Sequence, residues 1–342
     1  MTVGVAIIGA GMIANIHVAA LRATPGAAIT GVWSRNPEAT AAFAAKHGLR
    51  AFKTYGEALA DPATAAVSLC LPPGTHVDYG FEAAAAGKHL IVEKPLDIDL
   101  AKAQQLVDTY RAKKLTLAVI LQNRFTPAAR RVKAALDAGL LGRLLLGDAY
   151  VKWYRTPEYY ASNAWRGTWG IEGGGALINQ AIHTIDLLQW FMGGVQSVAG
   201  MIRTSIHNIE TEDLGVAAVE YRSGALGVIE GSTCVSPGYK ERIEIHGTKG
   251  SFTLEGGLVK AWQVDGCKDE DYIDVQQVVY GDTKSPAIST VNHEAQMADI
   301  IGAIASGRDP LVTGEEGIKS LAIVLGIYAS ARQGRTIQLD QR

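Results

Sequence analysis

The feature that most constrains the fold is an alternation of short apolar runs with helical patterns over the first third of the chain. The apolar runs are continuous, which is typical of strands buried on both faces of a parallel sheet. One intervening helix is marked by Asn36 as its N-cap, a proline after it and Gly48 at its end. This alternation predicts a doubly wound α/β domain over residues 1–123. The predicted strands are residues 3–9, 27–34, 65–72, 89–95 and 115–123.

After about residue 140 the pattern changes to strands joined by short turns that contain glycine. Two of the turn tips are Ser223-Gly224 and Lys249-Gly250. Such meanders build an antiparallel sheet, which a helical segment interrupts, and from about Val291 the pattern returns to helix. We therefore expect a second domain of the α+β type over residues 124–342.

Composition excludes several classes of function. The formal net charge of −2 provides no basic surface for nucleic acid and no polybasic patch for a membrane. No apolar run approaches the ~18 residues of a membrane span, and the first residues contain no basic leader. The three cysteines are widely spaced and form neither a disulfide framework nor a zinc pattern. We expect a cytoplasmic protein without a metal site.

The first chemical motif is GAGMIA, residues 9–14, which follows the first predicted strand and opens the first helix. Its form, G-x-G-x-x-A, is that of a dinucleotide-binding loop. Gly9 makes the tight turn, Gly11 lets the main chain approach a pyrophosphate, and Ala14 permits close packing of the helix on the sheet. The motif predicts a bound dinucleotide cofactor.

The end of the second predicted strand bears on which dinucleotide binds. A carboxylate there would hold the ribose 2′-hydroxyl of NAD, but this chain has Ser34 and Arg35 and no carboxylate until Glu38. Arg35 is suited to pair with the 2′-phosphate of NADP, or to stack on the adenine and accept either cofactor. A plain surface arginine is the remaining interpretation. We expect NADP, with NAD as the alternative.

A second motif, Glu93-Lys94-Pro95, ends what we count as the fifth strand. Strand ends face the ligand crevice in this architecture. A partly desolvated lysine there has a lowered pKa and can donate a proton or a hydrogen bond to a reacting oxygen, while Pro95 fixes the turn. The alternative is an exposed lysine in an ion pair with Glu93.

The segment EGGGALINQAIHTIDLLQWFMGG, residues 172–194, predicts an amphipathic helix opened by three glycines. Asn179, His183 and Asp186 stand at i, i+4 and i+7, along one face of that helix. A satisfied core histidine is the alternative for His183, and Asp186 is expected to support the site. Gly173–Gly175 are expected to let the main chain come close to cofactor or substrate.

An aromatic-rich stretch, residues 151–169, is the expected place for a sugar. Flat rings give sugars an apolar face, tyrosine hydroxyls bond their edges, and nearby arginines suit a phosphate or carboxylate. A core and interface cluster is the alternative for residues 153–160. The expected substrate contacts are Asn179, Tyr154, Arg155, Tyr160 and, less directly, His293.

Together these motifs resemble those of the glucose–fructose oxidoreductase/inositol dehydrogenase/MocA (Gfo/Idh/MocA) family over essentially the whole chain. The resemblance implies a Rossmann domain followed by a domain with an open, mainly antiparallel sheet. It also implies oxidation or reduction of one hydroxyl or carbonyl of a sugar, inositol or nucleotide sugar, in a dimer or tetramer. The matching pieces are GAGMIA, LPPGTH (71–76), AGKHLIVEKPL, NRF (123–125), WRGTW (165–169) and GGGALINQAIHTIDLLQW.

The resemblance also implies roles for individual residues. The catalytic lysine of the family falls on Lys94 and its catalytic histidine on His183, and the Lys94-Pro95 bond is expected to be cis. We expect His183 to transfer the proton and Lys94 to stabilise charge on the same oxygen. The expected cofactor contacts are Gly9, Gly11, Met12, Ile13, Ser34, Arg35, Leu71, Pro72, His76, Glu93, Lys94, Asn123, Trp165 and Arg166.

One departure from the family pattern affects the expected substrate. Inositol dehydrogenase-like members carry aspartate four residues before the histidine, where this chain has Asn179, and some sugar-nucleotide 3-dehydrogenases of the family have asparagine there. An asparagine bonds a substrate hydroxyl but cannot take its proton. We therefore expect an NAD(P)-dependent sugar dehydrogenase or reductase. Three alternatives stay open: an inositol dehydrogenase, a glycosidase that uses tightly held NAD for transient oxidation at C3, and a non-catalytic dinucleotide-sensing regulator.

Overall fold

A computed structural model describes residues 2–276 and 289–339. The strands are β1 (Val3–Ile8), β2 (Ala27–Trp33), β3 (Ala66–Leu69), β4 (His89–Val92), β5 (Leu117–Val119), β6 (Leu144–Lys152), β7 (Val195–Arg203), β8 (Leu214–Tyr221), β9 (Leu226–Ser232), β10 (Arg242–Gly247), β11 (Gly250–Glu255), β12 (Leu258–Val264) and β13 (Ile337–Gln338). The helices are α1 (Met12–Ala23), α2 (Pro37–His47), α3 (Tyr55–Ala60), α4 (His76–Ala85), α5 (Leu100–Ala112), α6 (Pro127–Asp137), α7 (Pro157–Ala161), α8 (Ile182–Met192), α9 (Val291–Ser306) and α10 (Gly314–Gln333). A π-helical turn, Ala176–Ala181, precedes α8.

The chain divides into two compact units. The first comprises Met1–Gln122 with Ile288–Ile318, and the second comprises Asn123–Ala287 with Lys319–Arg342. Each unit is described by itself below, as the Rossmann unit and the sheet unit respectively. No helix within residues 2–276 and 289–339 is long and apolar enough to cross a membrane.

The Rossmann unit is built on a parallel sheet in the strand order β2-β1-β3-β4-β5. The interior strands are fully buried, as their continuous apolar sequence predicts. Asn36 caps α2 by accepting hydrogen bonds from two main-chain amides, and Gly48 ends that helix in a left-handed conformation. The predicted doubly wound architecture is therefore confirmed. One detail is wrong, because Lys94 follows the fourth strand and not the fifth.

The division into units differs from the predicted one in the placement of α9. The predicted second domain took in residues 124–342, whereas α9 belongs to the Rossmann unit. The reason is apolar burial: Met297, Ile300 and Ile301 complete the core formed by β1 and α1. Their partners in that core include Val18 and Leu21.

The sheet unit is built on an eight-stranded sheet in the order β12-β11-β10-β6-β9-β8-β7-β13. Neighbouring strands are antiparallel except β6 and β9, which run parallel. Helix α8 packs on β6 and β10. The predicted change from a parallel to a mainly antiparallel sheet is therefore confirmed.

Candidate functional site

The GAGMIA loop has the geometry that a dinucleotide requires. Gly9 has a φ of +118°, and a Cβ there would lie 2.3 Å from the carbonyl oxygen of Cys70, so the position demands glycine. A Cβ on Gly11, by contrast, would meet open space at the start of α1. Met12 beside it is 70% exposed. A helix N-terminus with amides facing an open space fits a pyrophosphate.

The end of β2 presents the residues predicted to choose between NAD and NADP. Ser34 is held by hydrogen bonds to Thr40 and to the carbonyl oxygen of Asn36. Arg35 is exposed. Glu38, the first carboxylate after the strand, lies in the first turn of α2. The placement leaves a cation, and no anion, directly after the strand.

The loops after β3 and β4 are tied together by His76. Its buried imidazole nitrogens lie 2.9 Å from the carbonyl oxygens of Leu71 and Pro95. Burial lowers the pKa of His76. Leu71 and Pro72 are half-buried in this arrangement. The side chain of His76 thus shapes the loops, and a direct contact with the cofactor stays a prediction. The Lys94-Pro95 bond is cis, as predicted.

A buried ion pair lies directly behind Lys94. The Nε2 atom of His17 on α1 lies 2.7 Å from Oε1 of Glu93, and its Nδ1 lies 2.7 Å from Oγ of Ser68. Burial acts to lower the pKa of His17, but Cys70 and Glu93 outweigh it and raise that pKa. The pKa of Glu93 is lowered: burial acts against this, and the bond to His17 outweighs burial. The pair is therefore imidazolium and carboxylate.

Glu93 also holds the main chain of the predicted catalytic lysine, Lys94. Its Oε2 accepts a hydrogen bond of 3.2 Å from the main-chain amide of Lys94. Lys94 itself is half-buried. His293, a predicted substrate contact, is buried on α9 with its ring 6.3 Å from that of His17. This placement supports a role for His293 in the packing around the ion pair more than a direct substrate contact.

In the sheet unit, the segment with Asn179 and His183 is not one uniform α-helix. Asn179 lies in the π-helical turn Ala176–Ala181, whereas His183 lies in the first turn of α8. Both side chains are half-buried. The predicted regular helix from the glycines onward is therefore wrong, because the π-turn carries an extra residue. Short π-helical turns appear frequently at functional sites.

Asp186 points away from solvent and into a salt bridge. Its two carboxylate oxygens accept hydrogen bonds of 2.7 Å each from Nε and Nη2 of Arg124, and both residues are buried. The guanidinium of Arg124 also lies over the ring of Trp190, 5.2 Å from its centroid. Arg124 stands in the NRF motif beside the predicted cofactor contact Asn123, which is half-buried. Arg124 and Asp186 together fix α8 against the start of the sheet unit.

A polar network surrounds the hydroxyl group of Tyr159. This oxygen accepts hydrogen bonds from Arg166 at 2.5 Å and from Gln180 at 2.7 Å, with the amide of Asn179 at 3.4 Å. The guanidinium of Arg166 also lies over the Tyr159 ring, 4.3 Å from its centroid. Burial raises the pKa of Tyr159. Tyr159 is thus the centre on which predicted cofactor and substrate residues of this unit converge.

Glu172 also belongs to the hydrogen-bond network around Tyr159. Its carboxylate accepts hydrogen bonds from the side-chain amide of Asn179 and from the main-chain amide of Gly167, and lies 3.9 Å from Arg166. Glu172 is buried. The sequence reasoning placed Tyr159 in the aromatic-rich stretch expected to hold a sugar but did not single it out as a contact, and it did not identify Gln180 or Glu172. The available signal for Glu172 was its position directly before the glycines.

The remaining predicted contacts take several positions in the sheet unit. Arg155 is buried, donates to Oε1 of Gln180 at 2.8 Å and lies over the ring of Trp153. Tyr160 is buried with its hydroxyl 2.7 Å from Oγ1 of Thr233. Tyr154 and Trp165 are half-buried. Arg155 joins the Tyr159 network, whereas Tyr160 is bonded within the core.

Gly174 and Gly175, the two glycines next to the π-helical turn, face protein. A Cβ on Gly174 would lie 2.1 Å from Oη of Tyr328, and a Cβ on Gly175 would lie 2.0 Å from the carbonyl oxygen of Glu212. The expectation that these glycines make room for cofactor or substrate is therefore corrected for two of them. They make room for α10 and for the segment that precedes β8.

Comparison with known proteins decides the family. A model of the oxidoreductase family with an NAD-binding Rossmann fold matches residues 3–121, and a model of the GFO/IDH/MocA C-terminal domain matches residues 129–253. The chain belongs to the Gfo/Idh/MocA family. The predicted resemblance is confirmed, and this member is an oxidoreductase with an NAD-binding Rossmann domain.

Individual relatives of this Gfo/Idh/MocA member include inositol dehydrogenases and a dehydrogenase solved with a nucleotide sugar. The WlbA dehydrogenase from Bordetella pertussis, solved in complex with NADH and UDP-GlcNAcA, is 31% identical, with 99% of each chain covered and a TM-score of 0.89. Myo-inositol 2-dehydrogenase of Thermotoga maritima is 26% identical over 350 residues, with 98% of each chain covered. Inositol 2-dehydrogenase of Rhizobium meliloti is 25% identical over 348 residues, covering 99% of this chain and all of the relative.

Proposed function

We propose that this protein transfers a hydride between a nicotinamide and one hydroxyl or carbonyl carbon of a sugar, sugar derivative or nucleotide sugar. The observation that carries the proposal is a contrast in burial. Lys94 and His183 are half-exposed, whereas Glu93, Arg124 and Asp186, which support the segments that carry them, are buried. Reactive side chains on a fixed, buried support are what proton transfer to a substrate requires.

Each residue takes a separate role in this reaction. A nicotinamide, when bound, supplies the hydride acceptor or donor. His183 takes the proton of the substrate hydroxyl during oxidation, because imidazoles ordinarily titrate near pH 6.5. Lys94 stabilises the negative charge that develops on the substrate oxygen, and Asn179 orients the substrate, because an amide cannot accept the proton. The residues suited to hold the dinucleotide are those of the GAGMIA loop with Arg35.

Three observations favour a nucleotide sugar as the substrate class. The relative with 31% identity was solved with a nucleotide sugar, and this chain has Asn179 where inositol dehydrogenase-like members have aspartate. Arg155 and Arg166 are also held close to Asn179 through Tyr159, and guanidinium groups suit the phosphate or carboxylate of such a substrate.

A substrate panel tests this proposal directly. The purified protein is mixed with NADP⁺ or NAD⁺ and with UDP-sugars, UDP-hexuronic acids, free aldoses or inositols, and absorbance of the reduced nicotinamide is followed. We expect turnover with a UDP-sugar, with the His183→Ala variant as the inactive control. Faster turnover of myo-inositol would establish the inositol alternative. Release of aglycone from an aryl glycoside would instead show the glycosidase reaction.

The proposed cofactor is NADP, with Arg35 as the residue that selects it. Arg35 is the exposed cation directly after β2, and only NADP carries a phosphate for it to meet. Fluorescence titration should show that Arg35→Ala weakens NADP(H) about tenfold, the worth of one charge-assisted hydrogen bond, and leaves NAD(H) nearly unchanged. Tighter binding of NAD(H) by the unaltered protein would refute the NADP preference. Equal losses for both cofactors would indicate adenine stacking.

We also propose that the protein self-associates through the open face of the sheet unit. Met201, Leu226 and Val228 are exposed on β7 and β9, on the face that the strand register makes common to them. Light scattering on the protein as it elutes from a sizing column would give its mass, and a monomer would contradict self-association.

The three cysteines are free, which favours a reducing compartment such as the cytoplasm.

A further inference from the structure

Three successive main-chain amides in the sheet unit end on one acidic residue, Glu212. Its carboxylate accepts hydrogen bonds of 2.9 Å from the amide of Gly175 and 2.8 Å from the amide of Leu177. The amide between them, that of Ala176, donates to the main-chain oxygen of Glu212 at 3.1 Å. These amides open the π-helical turn, where helix N–H groups have no partner within the helix.

Tyr328 on α10 is a further hydrogen-bond donor to the carboxylate of Glu212. Its hydroxyl donates a hydrogen bond of 2.8 Å to Oε1 of Glu212, and both side chains are buried. The ring of Tyr328 is fixed in turn by an edge-to-face contact with Trp169, with the ring centroids 5.2 Å apart. Glu212 therefore receives donors from two elements and cannot shift without losing one of them.

The glycines before the π-turn allow the main chain to lie against Glu212 and Tyr328, and no larger residue would fit there. Side chains at Gly174 or Gly175 would collide with Tyr328 and with the main chain of Glu212, as the distances above show. The main chain thus lies against Glu212 at the closest approach that glycine permits. A carboxylate at the N-terminus of a helix is favoured electrostatically as well.

We propose that Glu212, held by the hydroxyl group of Tyr328, is a positioning residue that fixes where the π-helical turn begins. In this way it sets the positions of Asn179 and His183 during the reaction. Asn179 follows the last fixed amide, that of Leu177, by two residues, and His183 follows it by six. The proposal rests on the proposed function for the roles of these two residues. Glu212 itself touches neither substrate nor cofactor in it.

The acidic side chain of Glu212 is costly to bury at this position. Glu212 is 1% exposed, and burial raises its pKa to about 7, while the hydrogen bonds from Leu177 and Tyr328 act to lower it. An apolar residue would fill the same space without this desolvation cost. Only an acceptor with two oxygens can meet both amides and the tyrosine hydroxyl at once.

The test is the isosteric variant Glu212→Gln in the full-length protein. An amide keeps the shape but turns an N–H₂ group toward donors, so one of the two main-chain bonds is lost. We expect kcat to fall about 10- to 100-fold, the effect of a displacement approaching 1 Å, with the cofactor Kd unchanged. Exchange of the Gly175 or Leu177 amide hydrogen should accelerate about tenfold, as for the loss of one hydrogen bond.

Asp148→Asn is the matched control. Asp148 is a buried carboxylate of the same unit that accepts one main-chain bond, from Val228 at 2.7 Å. We expect it to leave kcat and the exchange of the π-turn unchanged. If both variants lose kcat equally, Glu212 has only a general stabilising role and the proposal fails.

A milder variant, Tyr328→Phe, covers the case that Glu212→Gln does not fold. It removes one donor and keeps both main-chain bonds, so kcat should fall by about two- to fivefold. Wild-type kcat and wild-type exchange in Glu212→Gln, or in Tyr328→Phe if the former is unfolded, would overturn the proposal. If the unaltered protein turns over no substrate, the proposed function fails separately, and hydrogen exchange at Gly175–His183 alone decides between the variants and the control.

Discussion

The two units each contain a buried ion pair behind a predicted catalytic segment, and the two pairs differ in the cation. In the Rossmann unit the cation is the imidazolium of His17, paired with Glu93 at 2.7 Å. In the sheet unit it is the guanidinium of Arg124, which holds Asp186 through two bonds of 2.7 Å. The imidazolium of His17 can lose its proton as the pH rises, in the folded protein near pH 10, whereas a guanidinium cannot. The support of Lys94 therefore depends on pH, and the support of α8 does not.

The largest expected effect comes from breaking the permanent pair. Asp186→Asn leaves the buried guanidinium of Arg124 with a neutral partner, so the free energy of unfolding should fall by about 3–5 kcal/mol. Asp137→Asn is the matched control, because Asp137 pairs with Lys133 on the exposed surface of α6, where such pairs contribute about 0.3–0.5 kcal/mol. Denaturant titration of both variants measures the difference. Equal losses would mean that the Arg124–Asp186 pair adds little to stability.

The next largest effect concerns the side chains that the pairs support. His183→Ala should lower kcat by ~10²-fold or more, the loss typical of a general acid–base group, with cofactor affinity nearly unchanged. Lys94→Ala should lose as much or more, because it removes the group that stabilises charge on the substrate oxygen. Steady-state kinetics with a turned-over substrate measures both. Should His183→Ala keep near-full turnover while Lys94→Ala is inactive, the lysine carries the proton.

The titratable pair predicts a dependence of stability on pH. The pKa of His17 is raised in the folded protein, so its stabilising contribution is complete below about pH 6.5 and is lost as pH rises through the folded pKa of about 10. Between these limits the unfolded chain binds one proton fewer, and the free energy of unfolding falls by up to ~1.4 kcal/mol per pH unit. Denaturant titrations from pH 7 to pH 9 measure this slope.

His17→Gln should remove that slope, since glutamine does not titrate. Asp186→Asn should lower stability by the same amount at each pH in this window and keep the slope. These two outcomes separate the titratable pair from the permanent one. An unchanged slope in His17→Gln would show that another group carries the pH dependence.

The smallest effect concerns Asn179, which the network of the sheet unit holds through Glu172 and Tyr159. Asn179→Ala should raise KM several-fold, by roughly one hydrogen bond, and change kcat less, because the amide orients the substrate and moves no proton. Asn179→Asp should stay active with an altered pH profile of kcat. A loss of kcat in Asn179→Ala as large as that in His183→Ala would assign the amide a role in the chemical step.

The sequence was a good guide to the Rossmann unit because its signals are local. Each strand is a continuous apolar run, the cap of α2 stands next to its helix, and Gly9 and Lys94 lie in short motifs with known geometry. The position of α9 was missed because nothing near residues 291–306 marks which core those apolar side chains complete. Only the packing of Met297, Ile300 and Ile301 against α1 reveals it.

In the sheet unit the missed features depend on partners far apart in sequence. Glu212 meets Gly175 across 37 residues and Tyr328 across 116 residues. The glycines signalled a close approach, but the approaching partner was not visible and was taken to be a ligand. The π-helical turn was missed for a related reason. Residue spacing on a helical wheel assumes a regular α-helix, which begins here only at Ile182, whereas Glu212 contacts the turn before it.

The packing of α9 in the Rossmann unit also affects how the chain folds during its synthesis. A ribosome adds residues at about 5–20 per second, and the N-terminal domain of a nascent protein generally folds first. Here β1 and α1 leave the ribosome before Met297, Ile300 and Ile301, which cover part of their apolar core and follow residues 123–287 of the sheet unit. The apolar surface around Val18 and Leu21 therefore stays partly exposed while that part of the sheet unit is synthesised. The core of the cofactor-binding unit is completed only after it.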